Sequence, residues 1–265
     1  MTATPTPEPT GTLLQHDRQH GIYMLALRQG SVDVADLARR YSVTTETIRR
    51  DLSDMQARHL LRRVHGGAVP IERMNHEPMV DARDTVNAEE KLRIAQAAVA
   101  EVPEQGSVII DSGSTGQRLA QVFPVDRDVH VVTNSLTTAL TLSRRGQQNI
   151  TVLGGTVRTN RLSMVDETTR DELRDMAIDV LFISCDGLSF KHGLTTPYRE
   201  EHTLKRAMIE RTQRVVALVD QSKFGNVQMF SFAKFDEIDV LVTDSRADPE
   251  AVDFLSSHGI DVRRA

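Results

Sequence analysis

A chain of 265 residues with 39 % hydrophobic and 26 % charged side chains has the make-up of a folded protein of roughly two domains, not of a disordered or fibrous one. Its single cysteine, Cys185, excludes an intrachain disulfide and a four-cysteine zinc site, and no apolar run is long enough to span a bilayer. A net charge of −5 speaks against a nucleic-acid partner, yet the charge is unevenly spread. Nine arginines stand against six carboxylates between Leu13 and Pro70, and 23 basic against 30 acidic side chains from residue 71 onward. A basic module joined to an acidic one is the pattern of two partners of different kinds, and a reducing, cytoplasmic location is expected.

In chain order, "MTATPTPEPTG" is rich in Pro and Thr, and residues 1–12 are expected to form a disordered tail. Three helices follow. Ile22, Leu25 and Ala26 share a face of the first, which starts near Asp17. Val34, Leu37, Ala38 and Tyr41 mark the second, and Ile48, Leu52 and Met55 the third, with Thr44 as its N-cap. The short break "SVTT" between the last two makes a helix-turn-helix. With Ile48, Leu52 and Met55 turned inward, Thr45, Glu46, Arg49 and Arg50 face outward at the helix end that enters a major groove. An arginine fork there pairs with guanine, while Thr44, Thr45 and Thr47 suit phosphates. The plain alternative is an exposed helix with a Glu46–Arg50 ion pair. Against it stands "HLLRRVHGGAVP", an alternating, glycine-turned hairpin wing whose Arg62, Arg63 and His65 suit the phosphate backbone.

Arg18, "VADLARRYSVTTETIRRDL" and "LLRRVHGGA" together resemble the N-terminal signature of the DeoR/GlpR-type bacterial transcription regulators. Thr44, Thr47, Ile48, Arg49, Arg50, Asp51 and Leu52 stand in the family's spacing, whereas Tyr23 and Ala26 replace larger aliphatics. The resemblance implies a winged helix-turn-helix over residues 13–70 that binds double-stranded operator DNA, with a recognition helix over about Thr45–Arg58.

Residues 71–88, polar and broken by Pro78, read as a linker, and Asn87-x-x-Glu90 as a capping box opening a helix with Leu92, Ala95, Ala98 and Val99 on one face. From Ser107 short apolar runs ("SVIID", "HVVTN", "ITVLGG", "VLFISCDG", "RVVALVD", "VLVTD") alternate with helical stretches, which predicts an α/β domain over 89–265 with a mainly parallel sheet. The strand ends are rich in small and hydroxyl residues, and ligands bind at such ends. The cradle candidate is Asp111, Ser112, Gly113, Ser114 and Thr115, joined by Thr133, Asn134 and Ser135 and by Asp186 and Gly187. Lys205 and Lys223 supply cations; Asp111, Asn134 and Asp186 suit sugar hydroxyls. A Glu201–Lys205 surface pair is the plain reading of the i, i+4 spacing. No dinucleotide fingerprint and no P-loop lysine is present, and no cofactor or metal is expected. Two histidines, His16 and His20, do not make a metal site. Cys185 ends an apolar strand and reads as a core residue.

"NAEEK", "DSGST", "VVTNS", "LGG", "GLTT", "KRAM" and "DQSKFG" resemble the effector-binding domain of the same regulators. That resemblance implies a fold similar to ribose-5-phosphate isomerase A and a phosphorylated sugar, such as fructose 1-phosphate, or a related phosphate metabolite as ligand. It also implies a homo-oligomer, dimer or tetramer, that represses sugar-uptake or catabolism genes without enzymatic activity. Where relatives carry a Gly-containing segment this chain has "LSMVDETT", so Ser163, Met164 and Asp166 are expected to shape effector preference. The competing reading is a sugar-phosphate isomerase-like enzyme with an appended DNA-binding module, using Asp111, Asp186 and Lys205 as acid–base groups.

Overall fold

In the computed structural model, residues 15–29, 31–57, 61–64, 66–70 and 86–265 are described. The tail at 1–12, Arg58, His65, residues 71–85 of the expected linker, and the side chains of His16 and His20 lie outside the described residues. The chain divides into two units, Met1–Glu77 and Pro78–Ala265.

The first unit holds helices α1 (Gln15–Gln29), α2 (Val34–Tyr41) and α3 (Thr45–Ala57) with strands β1 (Val32–Asp33), β2 (Leu61–Val64) and β3 (Gly67–Pro70). The apolar periods converge as the sequence predicts: Ile22, Ala26, Ile48, Leu52 and Met55 are fully buried, with Leu37 beside them. Asp33 starts α2 by accepting from the Ala35 and Asp36 amides at 2.8 and 3.1 Å. The helix ends at Ser42, whose left-handed φ of 51° turns the chain, and Thr44 Oγ1 caps α3 by accepting from the Thr47 amide at 3.1 Å. β2 and β3 form the wing, with β1 added to β3. At Gly67 any Cβ would lie 2.0 Å from the Val32 carbonyl oxygen, so this strand contact requires glycine.

One buried ion pair joins α1 to α3. Arg18 Nε donates to Asp51 Oδ2 at 2.6 Å and Gln19 Nε2 to Asp51 Oδ1 at 3.1 Å. Both charged side chains are almost wholly buried.

The second unit is built on seven parallel strands: β4 (Gln105–Ile110), β5 (Asp128–Thr133), β6 (Ile150–Val152), then after a small hairpin β7 (Val157–Arg158) and β8 (Ser163–Met164), β9 (Ile178–Ile183). After β10 (Gly187–Ser189) and β11 (Gly193–Thr196) come β12 (Thr212–Leu218), β13 (Phe230–Ala233), β14 (Val240–Thr243) and β15 (Asp261–Arg264). The sheet order is β15-β14-β12-β9-β4-β5-β6. Its strands read as continuous apolar runs because both faces are covered. Ile109, Leu181, Ala217 and Leu241 point into one core, while Val108, Ile110, Phe182 and Val216 point into the other. Burial on both faces leaves no polar alternation to betray strand ends, but the crossover helices between the runs do.

Three features differ from expectation. β15, from "DVRR", is a polar edge strand with no apolar run to mark it. The antiparallel sheet β10-β11-β13 is built of strands only three or four residues long, two of them opening on glycine, too short to show a period. The helix Ala88–Ala98 does not open on a capping box: Asn87 sits in the left-handed region at φ 53° and its side chain makes no cap bond. That side chain instead donates to Asp220 Oδ1 at 3.0 Å. The buried stripe is Lys91, Ile94, Ala95 and Ala98, leaving Leu92 half-buried.

Truncating Asp51 to alanine removes the carboxylate that Arg18 and Gln19 share in the interior, and the expected loss of stability is about 3–5 kcal/mol. Urea unfolding of the full chain, followed by circular dichroism, measures it in the transition that includes the helical unit; a loss under about 1 kcal/mol would show the pair to be dispensable.

Candidate functional site

On α3 the residues divide cleanly. Ile48, Asp51 and Leu52 are buried; Thr44, Thr45, Glu46, Arg49 and Arg50 are exposed, and Thr47 is half-buried. Thr44 spends its hydroxyl oxygen on the cap and lies 2.9 Å from the Thr47 hydroxyl. Glu46 pairs with Arg49 at 3.4 Å, not with Arg50 as the plain reading had it, and both partners are more than half exposed. Arg50 makes no ion pair with a described residue. The wing docks on this helix through Arg63, whose Nη1 donates to Ser53 Oγ at 3.0 Å and whose amide donates to Gln56 Oε1 at 3.0 Å. Arg62 and Arg63 are exposed. Four exposed arginines, Arg49, Arg50, Arg62 and Arg63, thus stand on a helix and the hairpin tied to it.

In the second unit the carboxyl ends of β4, β9 and β12 open onto one cleft. β4 runs into Asp111, Ser112 and Gly113, and the helix Ser114–Val122 begins there without a side-chain cap. Gly113 has φ 138°, and a Cβ on it would lie 2.8 Å from Ser184 Oγ; a Cβ on Gly116 would lie 2.5 Å from the Asp111 carbonyl oxygen. Only glycine lets the backbone pass this close. The helix therefore presents amide donors and the positive end of its dipole to the cleft.

Charged groups frame it. Lys205, from the helix Arg199–Glu210, is buried; its ammonium pairs with Asp111 and donates to the Ser184 carbonyl at 2.9 Å. Burial pushes the Asp111 carboxyl up, and the Lys205 ammonium works against that shift. Arg161 bridges Glu201 Oε1 at 2.9 Å and Asp186 Oδ1 at 3.5 Å. Glu201 also takes Arg158 at 3.0 Å and the Thr196 hydroxyl at 2.7 Å, so it does not pair with Lys205. Both arginines lie over the Tyr198 ring, 4.8 and 5.6 Å from its centroid. Asp220, at the end of β12, accepts from the Ser222 amide at 3.1 Å and shapes the turn that carries Lys223.

Of the sequence candidates, Ser112, Gly113, Ser114, Thr115, Asp186, Lys205 and Lys223 come together along this cleft, with Asp111 directly behind Lys205. Thr133, Asn134, Ser135 and Gly187 do not line it. Thr133 donates to the Ile110 carbonyl at 2.7 Å, and Ser135 caps the helix Leu136–Arg144. Asn134 accepts from the Ser112 amide at 2.9 Å and so holds the cradle from outside. Gly187 packs against the Asn226 carbonyl, where a Cβ would meet it at 2.5 Å. Ser163 and Met164 are buried in the hairpin. Asp166 caps the helix Glu167–Glu172, and backbone amides, Thr156 first, hold its carboxyl down at about 2. The residue that lines the cleft is Arg161, which immediately precedes that segment. Lys91 and Asp220 line it too. Lys91 opens the buried stripe that continues with Ile94, Ala95 and Ala98, one position before the Leu92 face the sequence suggests; nothing in "TVRTNRLSM" singles out Arg161. Among the described residues no three His, Cys, Asp or Glu side chains gather as a metal site, and no helix is long and apolar enough to cross a membrane.

Residues 18–74 match the family described as the DeoR-like helix-turn-helix domain, and residues 86–245 match the DeoR C terminal sensor domain. The HTH-type transcriptional regulator GlpR of Haloferax volcanii is 32 % identical over 250 residues, covering 94 % of this chain and 98 % of that protein. The Glycerol-3-phosphate regulon repressor of Escherichia coli (strain K12) is 30 % identical over 248 residues, with coverage of 94 % and 98 %. Among solved structures, ribose 5 phosphate isomerase A from Neisseria gonorrhoeae aligns with 53 % of this chain and 55 % of its own, at 18 % identity and a TM-score of 0.40.

Cys185 lines the cleft yet is 6 % exposed, and burial first, then the neighbouring Asp186, pushes its thiol up to about 12. At pH 8 the native protein is expected to resist an aromatic disulfide reagent and to react fully once unfolded. Labelling of the native chain at the rate of a free thiol would contradict this burial.

Proposed function

The chain belongs to the DeoR family of helix-turn-helix transcriptional regulators, and from that premise we propose that it represses sugar-uptake or catabolism genes by holding a double-stranded DNA operator under the control of a phosphorylated sugar or related phosphate metabolite. The observation that carries this reading is the pairing of two separate cationic features: an exposed arginine surface on α3 and its wing, and a cleft where lysines meet an uncapped helix N-terminus.

On DNA, residues 13–70 act as the reading module. Arg49 and Arg50 approach guanine edges, where a bidentate pair discriminates by about 1–3 kcal/mol. Thr45, Thr47 and the α3 N-terminus take phosphates, with Arg62, Arg63 and His65 along the backbone; Thr44 and Glu46 orient that surface. A homo-oligomer, dimer or tetramer, presents two such helices to two half-sites. In the sensor, residues 89–265, the phosphate sits on Ser112–Thr115 with Lys223, and Asp186 takes sugar hydroxyls, with Asp111 and Lys205 holding the floor. The protein works in the cytoplasm and without turnover or cofactor, as its relatives are transcription regulators. Incubation with pentose and hexose phosphates is expected to yield no isomerisation; product formation that Lys205→Ala abolishes would move the assignment to an enzyme.

Arg49→Ala and Arg50→Ala are each expected to weaken operator binding by about 1–3 kcal/mol and to relax base preference at one position. Arg62→Ala is expected to weaken all sequences alike and to lower the salt slope by about 1. Fluorescence anisotropy across a salt series checks both, and parent-like binding by all three variants would contradict the groove assignment. Lys223→Ala is expected to bind operator as the parent does while losing release by a phosphate ester; release at the parent's ligand concentration would remove Lys223 from the site.

A further inference from the structure

We propose that Lys91 is an anion-binding residue of the cleft and that, together with Asn87, it transmits occupancy of the cleft to the peptide leading from the DNA-binding unit. This rests on the effector reading above and adds the residues through which the effector acts.

Lys91 belongs to the buried stripe of the helix Ala88–Ala98 and is 4 % exposed, yet it lines the same cleft as Gly113, Ser114, Thr115 and Lys223. An ammonium at that wall attracts the same anion that the helix N-terminus attracts, in a setting where water screens little. Its Nζ also donates to the Val86 carbonyl at 2.7 Å. Val86 is the first described residue after 71–85, the stretch that joins the two units in sequence. An anion that draws the ammonium toward the cleft therefore competes directly with the bond that fixes Val86.

A second tie ends one residue later. Asn87 holds a left-handed backbone, which asparagine tolerates better than most residues. Its Nδ2 reaches Asp220 Oδ1, 133 positions away, at 3.0 Å. That same oxygen accepts from the Ser222 amide at 3.1 Å and from the Ser222 hydroxyl at 2.5 Å. Asp220 thus joins the turn carrying Lys223 to the start of the sensor unit through one carboxylate oxygen. Movement of Lys223 onto a phosphate changes the geometry at Oδ1, and Asn87 is the group on the other side of it. Two independent hydrogen bonds from cleft-lining residues converge on positions 86 and 87. Asp248, by contrast, caps its helix by accepting from the Glu250 amide within its own turn.

The test measures coupling itself. The dissociation constants of inorganic phosphate, glycerol 3-phosphate and fructose 1-phosphate are determined on the full-length chain, free and bound to its own promoter fragment. Their ratio is the coupling factor, which for an effector lies between about 5 and 150. Asn87→Gly keeps the left-handed backbone and removes only the side chain; it is expected to bring the ratio at least fivefold closer to one. Asn87→Asp sets a carboxylate against Asp220 and is expected to do the same, which guards against a folding effect of the glycine. Lys91→Met keeps the buried stem and is expected to weaken the best probe at least tenfold on the free protein. A parent that binds none of the three probes overturns the effector reading and this proposal with it. A parent that responds, beside Asn87 variants with its coupling ratio and a Lys91→Met chain with its affinity, overturns the transmission route alone.

Discussion

A charge removed from water must meet its opposite, and the buried ammonium of Lys205 organises the sensor unit around that requirement. It finds Asp111 at the end of β4 and the Ser184 carbonyl at the end of β9, so one side chain from the helix Arg199–Glu210 locks two neighbouring strand ends together. One turn earlier on the same helix, Glu201 gathers Arg158, Arg161 and the Thr196 hydroxyl. The floor of the cleft is therefore neutralised from within. Its wall carries Lys91, Lys223 and the amide groups of Ser114–Thr115. This division of labour, with a lysine–carboxylate pair below and cationic groups along the wall, makes a binding site out of what would otherwise be a turn cluster.

The DNA-binding unit solves the same problem on a smaller scale. Asp51 lies on the inward face of α3, among Ile48, Leu52 and Met55, and Arg18 and Gln19 saturate it. The carboxylate is thereby kept from the arginines on the outward face. Glu46 engages Arg49 only at an exposed, three-residue spacing, an interaction worth little in water and readily exchanged for a phosphate or a base edge. Arg63 fastens the wing to Ser53 and Gln56, so the hairpin is tied to the helix that carries Arg49 and Arg50.

How far the sequence could be read depended on what each residue's signal measures. Hydrophobic period reports burial, so the three N-terminal helices, the core residues Ile22, Ile48, Leu52 and Met55, and six of the seven parallel strands were legible. β15 was not, since an edge strand such as "DVRR" buries little. Local motifs report local bonding: Thr44 reads as a cap and is one, but Asn87 has the same capping look while its side chain reaches 133 residues along the chain. The strand-end cradle at Ser112–Thr115 could be placed because small residues before a helix have few other uses. Asn134 and Ser135 look identical by type yet serve the scaffold. Lys91 and Arg161 carry no such signal, because a lysine in a charged first turn and an arginine in a hairpin are ordinarily solvated; only three-dimensional proximity brings them to the cleft.

The two units amount to one regulator only if binding energy in the cleft appears as a change in affinity for DNA. Binding of the full-length chain to its own upstream DNA, measured from 50 to 200 mM salt with and without a saturating phosphate ester that stabilises the protein, tests this most directly. A steep loss of affinity with salt, and a shift of the whole curve when the ester is present, is the expected result. A chain that ignores its upstream DNA even at the lowest salt, or one whose curve is the same with the ester bound, would contradict it.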